Sequence, residues 1–223
     1  MSILNEPGRF LTGSTMGHVL RMALTGTLGF LFIFAVDAMN LYWLSRTGDT
    51  MLIAAAGFAF AVQVISVATG ISMMIAATAL VSRSIGAGDT ALARRQTTSA
   101  AILAALLQAL IALVLLAFRH QILAALGAGG EAAEHAARYL LISLPSLTII
   151  GAGMVINGAI RAQGDARRSV AVTMAGGLVS LMLDPILIFG LGWGLEGAAI
   201  GVGVARIVSF ALGIRVARRV HDL

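Results

Sequence analysis

Long apolar runs separated by short polar turns dominate the chain. They predict six membrane-spanning helices at about Val19–Leu44, Leu52–Ser82, Thr97–Ala117, Ala136–Ile160, Val170–Leu191 and Leu195–Val216. Each is at or above the ~20 apolar residues needed to cross the hydrocarbon core of a bilayer, and the second is long enough to tilt or protrude. The intervening segments, Arg46–Thr50, Arg83–Arg95, Arg119–Arg138, Arg161–Ser169 and Gly192–Gly194, are too short for a separate soluble domain. The reading is an all-α polytopic membrane protein: a polar N-terminal segment (1–17) on the cytoplasmic side, then a six-helix bundle (18–223). The first apolar run is of full span length and further spans follow, so it directs insertion and is not a cleavable signal peptide.

Composition fits that class. Charged residues are 11% of the 223, against roughly a quarter in soluble domains, and mean hydropathy is +0.95. Cysteine is absent, which excludes disulfides, thiolate metal sites and thiol nucleophiles. All fifteen basic residues are arginine. With the N-terminus inside, eleven arginines (9, 21, 83, 94, 95, 161, 167, 168, 215, 218 and 219) fall on the cytoplasmic side, against Arg46, Arg119 and Arg138 outside. That asymmetry predicts both termini in the cytoplasm. It also explains the pI near 11.2 without a nucleic-acid partner.

Two turns on the predicted cytoplasmic side resemble each other. Span two ends in Ser-Ile-Gly-Ala-Gly-Asp before Arg94-Arg95, and span four in Arg-Ala-Gln-Gly-Asp before Arg167-Arg168. In both, Gly tolerates left-handed backbone and Asp caps the next helix. The pair reads either as two ordinary helix stops or as a trace of duplication.

Eight of the ten acidic residues lie in loops or at segment ends; Asp37 in span one and Asp184 in span five do not. A carboxylate in hydrocarbon costs at least ~2.5–3.5 kcal/mol, so each is a candidate functional group. Both spans run in the same direction and, counted from near Met22 and Val170, place their acid ~21–22 Å in at 1.5 Å per residue. Two acids at one depth can share a cavity that binds and releases a proton or cation. The alternative is that each stands alone, hydrogen-bonded or facing headgroups.

Asn40 and Ser180 lie on the helical faces of Asp37 and Asp184. Pro185 removes the N–H that would bond the Leu181 carbonyl. These oxygens together suit a hard cation or a proton. Arg206, near the middle of span six, needs anions or water around it: it either joins the acidic pair or lines a cytoplasm-facing crevice. Asn157 reads as a packing or turn residue, Gln63 as a bond between helices, and Gly197–Gly201 as a small-xxx-small contact.

Enzyme activity is not expected. Gly70-Ile-Ser72-Met has the form used by intramembrane serine proteases, but His18, His120, His135 and His221 all sit at segment ends or in loops, away from Ser72. No metal-binding histidine pair occurs, and no cofactor is expected.

Several stretches together carry a family likeness: Phe34-Ala-Val-Asp37, Ala55-Ala-Gly-Phe-Ala-Phe60, Ser84-Ile-Gly-Ala-Gly-Asp89, Asn157-Gly-Ala-Ile-Arg-Ala-Gln-Gly-Asp165, Leu183-Asp-Pro185 and Gly197-Ala-Ala199. From about Thr12 onward the chain resembles the first six-span lobe of the multidrug and toxic compound extrusion (MATE) family. The resemblance implies a secondary transporter of the bacterial inner membrane that exports cationic, amphipathic compounds in exchange for H⁺ or Na⁺. It implies twelve spans in two lobes, and hence a second six-span lobe as partner, from the same gene product or another chain. Asp37 and Asp184 match the first-lobe acids, and Asn157 a polar residue near their network. Ser180 stands where many members have Asn and Val202 where many have Thr, which weakens or removes two oxygen ligands for Na⁺. Thr25-Gly26 occupies the region where span one often carries a proline. The rival readings are a lipid-linked sugar flippase of the same superfamily, and a self-contained six-span homodimeric porter or channel.

Overall fold

The computed structural model describes residues 14–220. Among them there is no strand; there are eight α-helices, seven of which build six candidate spans. Span one is α1 (Thr15–Ser45), span two α2 (Thr50–Gly86) and span three α3 (Thr90–Ala117). A short α4 (Arg119–Ala125) follows. Span four is α5 (Gly130–Ser143), a 3₁₀ turn (Leu144–Ser146) and α6 (Leu147–Ala162). Span five is α7 (Ala166–Pro185) running into a π-helical turn (Ile186–Gly190), and span six is α8 (Gly194–Val220).

The helices reach further than apolarity alone indicates. At 37 residues, α2 is ~55 Å long, well beyond a ~30 Å hydrocarbon core. The segment read from the sequence as a long polar connection, Arg119–Arg138, is helical except around 126–129. Its amphipathic pattern explains this: Leu123, Ala132, Ala136 and Ala137 are buried while the polar residues between them are largely exposed.

The two Gly-Asp turns match bond for bond. Gly88 (φ +78°) and Gly164 (φ +80°) take the left-handed conformation that ends a helix. Their N–H groups donate three residues back, to Ile85 and Arg161, and the following Asp N–H donates five back, to Ser84 and Ile160. The Asp side chains then cap the next helices. Leu92 N–H donates to Asp89 Oδ1 (2.8 Å) and Arg168 N–H to Asp165 Oδ1 (3.1 Å). Asp165 also pairs with the Arg168 guanidinium at 2.8 Å.

Two groups of helices pack through span four. One is α2, α3 and α6; the other is α1, α7 and α8, with α5 and α6 against α8. In an apolar solvent helices associate through close backbone approach and not through hydrophobic burial. Glycines mark those approaches. A Cβ on Gly158 of α6 would stand 2.9 Å from Met74 Cγ and 3.0 Å from the Met74 carbonyl of α2. One on Gly176 of α7 would collide with Ser209 of α8, and one on Gly177 would stand 2.5 Å from Phe32 of α1. Span four is the most enclosed, with 44% of its apolar window buried, and α1 the least, at 12%. Leu20, Leu24, Leu28, Leu31 and Phe34 form an exposed stripe along α1, at the edge of the bundle.

Candidate functional site

Asp184 lies at the last turn of α7, just before Pro185. Its carboxyl is fully buried (0% exposed), and Ser180, one turn earlier, donates its hydroxyl to Asp184 Oδ2 at 2.9 Å. The face shared by Ser180 and Asp184 in the sequence is thus an actual contact. The other oxygen, Oδ1, is buried and has no hydrogen-bond partner. It sits against Gly201 of α8, where an added Cβ would run into it. One turn earlier on α8, Gly197 lies against the Leu187 carbonyl, 2.9 Å from where its Cβ would be. The Gly197–Gly201 pair therefore serves to bring α8 across the end of α7. Pro185, which has no N–H, is followed by a π turn in which Leu191 N–H donates to the Ile186 carbonyl (3.0 Å).

The second element is a break in span four that the sequence reading took as continuous helix. In an unbroken α-helix, Leu147 N–H would bond the Ser143 carbonyl. Here it bonds Leu144 instead, in the 3₁₀ turn around Pro145. The released Ser143 carbonyl accepts from Ser146 Oγ (2.7 Å) and from Arg206 Nη1 (3.2 Å). Arg206 Nη1 also donates to Ser146 Oγ (2.6 Å), and Nη2 to Gln63 Oε1 (3.1 Å). One guanidinium on α8 is thereby held to span four and to α2, and the helix-to-helix bond expected of Gln63 goes to Arg206.

Asp37 on α1 is half-buried and makes no hydrogen bond to another described residue; Arg206 acts on it electrostatically. Asn40, one turn on, keeps a buried Oδ1 without a partner. Tyr139 of α5 lies within electrostatic range of Gln63, Arg206, Asp184 and Asp37. No hydrogen bond joins Asp37 to Asp184 among the described residues.

Tyr139, Ser143 and Ser146 were missed in the sequence. A usable signal was present: Ser-Leu-Pro-Ser inside a predicted span marks a break in the helix with hydroxyls beside it.

Asn157 lies elsewhere. Its amide nitrogen donates to Thr173 Oγ1 on α7 (3.0 Å), seven residues and ~10.5 Å along the helix from Ser180. Thr173 in turn donates to the Ser169 carbonyl (3.3 Å), and Arg161 Nε donates to Ser169 Oγ (2.7 Å). This second polar network occupies the end of the bundle that carries Gly164–Asp165. Ser72 has its hydroxyl bonded to the Ala68 carbonyl of its own helix at 2.9 Å. Among the described residues, no cluster of three His, Asp or Glu side chains could hold a metal ion. Arg21 and His18 side chains, and the segment up to Gly13, lie outside the described residues.

A buried acid at a proline and an arginine bound across three spans thus lie among six apolar helices. Residues 18–186 match the family model described as MatE. The chain belongs to the MatE family. The multidrug export protein MepA of Staphylococcus aureus is 26% identical over 191 residues, which cover 86% of this MatE chain and 42% of MepA. A MOP superfamily transporter from Pyrococcus furiosus superposes with a TM-score of 0.87 at 27% identity, over 97% of this chain and 48% of that one. A multidrug resistance MATE transporter in an outward-facing conformation gives 0.86 at 27% identity, over 94% and 46%. The chain spans about half the length of the relatives it matches. It is an integral membrane protein with the architecture of one MatE lobe.

Proposed function

We propose that this MatE chain is the first lobe of a secondary active exporter. In this reading it moves cationic, amphipathic compounds out across the bacterial inner membrane in exchange for H⁺ or Na⁺. Asp37 and Asp184 form the acidic exchange site, with Ser180 and Asn40 as auxiliary oxygens. The observation that carries the reading is the buried Asp184 carboxyl with one oxygen bonded to Ser180 and the other without a partner. A buried carboxylate half-satisfied in this way gains from a proton or cation and releases it when an opposing cation arrives. The relatives' names, an export protein and a multidrug resistance transporter, support the same activity. A flippase would need cationic groups free to meet a pyrophosphate, whereas Arg206 already bonds three protein acceptors.

The second lobe is part of this proposal. One lobe supplies one wall of a cleft, and the exposed stripe on α1 needs lipid or protein against it. The test is dye efflux driven by an imposed ion gradient in proteoliposomes, with this chain alone and together with a second six-span lobe. Efflux is expected only from the pair; full efflux from the chain alone would replace this reading by a homodimeric porter. Orientation follows from the arginine asymmetry: reporters fused at Gly88 and Asp165 should read cytoplasmic, and those at Gly48 and Gly129 outside. A cytoplasmic Gly129 would overturn the map.

A further inference from the structure

The start of α3 combines a basic recess with a long apolar track. Thr90, Arg94 and Thr98 follow one another at i, i+4 spacing, with Ala91, Arg95 and Ser99 in the row beside them. Together these residues line a recess of about 610 Å³, within the ~300–1,000 Å³ of sites that hold small molecules. Its walls carry two guanidiniums and three hydroxyls, and no Asp or Glu is among its described lining residues. Arg95 is exposed and makes no hydrogen bond or ion pair with another described residue. The neighbouring recess of about 280 Å³ around Arg83 differs, because Asp89 also lines it and offsets the charge. Arg168, beside the other Gly-Asp turn, is likewise compensated, by Asp165 at 2.8 Å.

Depth decides what such a recess meets. The apolar run of α3 begins at Thr97, so Arg94 and Arg95 stand at the level of the lipid headgroups. Beyond them on the same face run Ile102, Leu106, Leu110 and Leu113, 57–65% exposed. The opposite face, with Ala104, Gln108, Ala112 and Leu115, is buried in the bundle, where α3 packs on α2 and α6. From Ile102 to Leu113 the track is ~16.5 Å long, close to the ~15 Å hydrocarbon depth of one leaflet. We propose that this face of α3 binds one anionic glycerophospholipid, its phosphate in the recess of Arg94 and Arg95 and an acyl chain along Ile102–Leu113. An apolar stripe by itself takes any lipid, and a basic recess by itself any phosphate. The two in line on one helix face select a molecule that carries both. Guanidiniums suit the phosphate because their N–H groups meet its oxygens in pairs. In the orientation proposed above, the lipid belongs to the cytoplasmic leaflet, where anionic headgroups attract basic segments. The site depends on neither that orientation nor the export reading.

Native mass spectrometry of the purified chain in detergent tests this, with phosphatidylglycerol and phosphatidylcholine of identical acyl chains as probes. Phosphatidylglycerol should be retained about five-fold more strongly, the scale of one arginine beside an anionic headgroup. Arg95→Gln should remove that preference, and Arg95→Lys should keep most of it, which guards against an effect of misfolding. Arg167→Gln, at an exposed arginine of α7 on the same end of the bundle, should leave the preference unchanged. Glycerophosphoglycerol, the headgroup without its chains, should not displace the lipid at equal concentration. Equal retention of the two lipids would overturn the proposal. So would an equal loss in Arg95→Gln and Arg167→Gln, which would mean diffuse surface charge and no site. Displacement by the chainless headgroup would overturn it in favour of a site for free phosphate compounds.

Discussion

Two polar networks meet α7 about two turns apart, and they differ in what the backbone does to accommodate them. At Ser169 and Thr173, the network of Arg161, Ser169, Thr173 and Asn157 sits beside a helix-stop turn, and α6 and α7 remain regular α-helix there. The other polar groups lie deep in the bundle beside irregular turns: Ser180 and Asp184 just before the π turn of span five at Ile186–Gly190, and the Arg206 acceptors at the 3₁₀ turn of span four at Leu144–Ser146. Near a helix end a cation reaches hydroxyls and water without disturbing the ladder. In the interior, one of the three acceptors of the guanidinium is taken from the backbone itself, the Ser143 carbonyl, beside two side-chain oxygens. The irregular turns occur where the charges are.

The largest expected contrast is functional. Asp184→Asn and Asp37→Asn, made in a two-lobe protein, should reduce gradient-driven efflux to background while expression and insertion are kept, since an amide is cheaper to bury than a carboxylate. Asn157→Ala in the other network should leave at least about half of the rate, its bond to Thr173 being worth ~1 kcal/mol. Equal loss in all three would show that the two networks act as one unit.

Next in size is a steric effect on stability. Gly201→Val drives a side chain into Asp184 Oδ1, at a cost of ~1–3 kcal/mol. Gly203→Val, two residues along α8 with nothing within 4 Å of its Cβ position, should stay within ~0.5 kcal/mol. Thermal unfolding of the purified chain in detergent separates them. Similar midpoints for the two variants would mean that α8 moves away freely and that the packing at Asp184 is loose.

Smallest is Ser169→Ala, which removes the Arg161 acceptor at the helix end. A loss of ~0.5–1.5 kcal/mol is expected in the same unfolding measurement, because the half-buried guanidinium can turn to water. Ser146→Ala takes an acceptor from Arg206 in the interior and should cost more, ~1.5–3 kcal/mol, as the bond is to a charged group. The reverse order would remove the distinction between the networks.

How far the sequence reaches differs from residue to residue. Asp37 and Asp184 are legible as candidates because a charge inside an apolar run is rare enough to stand out by itself. Ser180 was found because one turn separates it from Asp184 on the same helix. Asn157 drew attention through family resemblance, and the fold places it with Thr173 instead. Nothing in hydropathy separates the serines at 143 and 146, whose carbonyl and hydroxyl meet Arg206, from other polar residues in a span.

The chain's own pattern was sufficient for the six apolar spans, the all-α class, the Gly-Asp turns with their caps and the presence of two acids and one arginine among spans. All of these depend on windows of contiguous residues, where periodicity, propensity and the cost of a charge in hydrocarbon act locally. Tertiary structure alone decided which partners those charges have. Arg206 bonds Gln63 across 143 residues of chain and Ser143 across 63, through a backbone break whose freed carbonyl points at another helix. Such a pairing arises from how closely helices approach, which rests on where glycines such as Gly176 and Gly201 meet a neighbour, and no local window contains both sides of that contact.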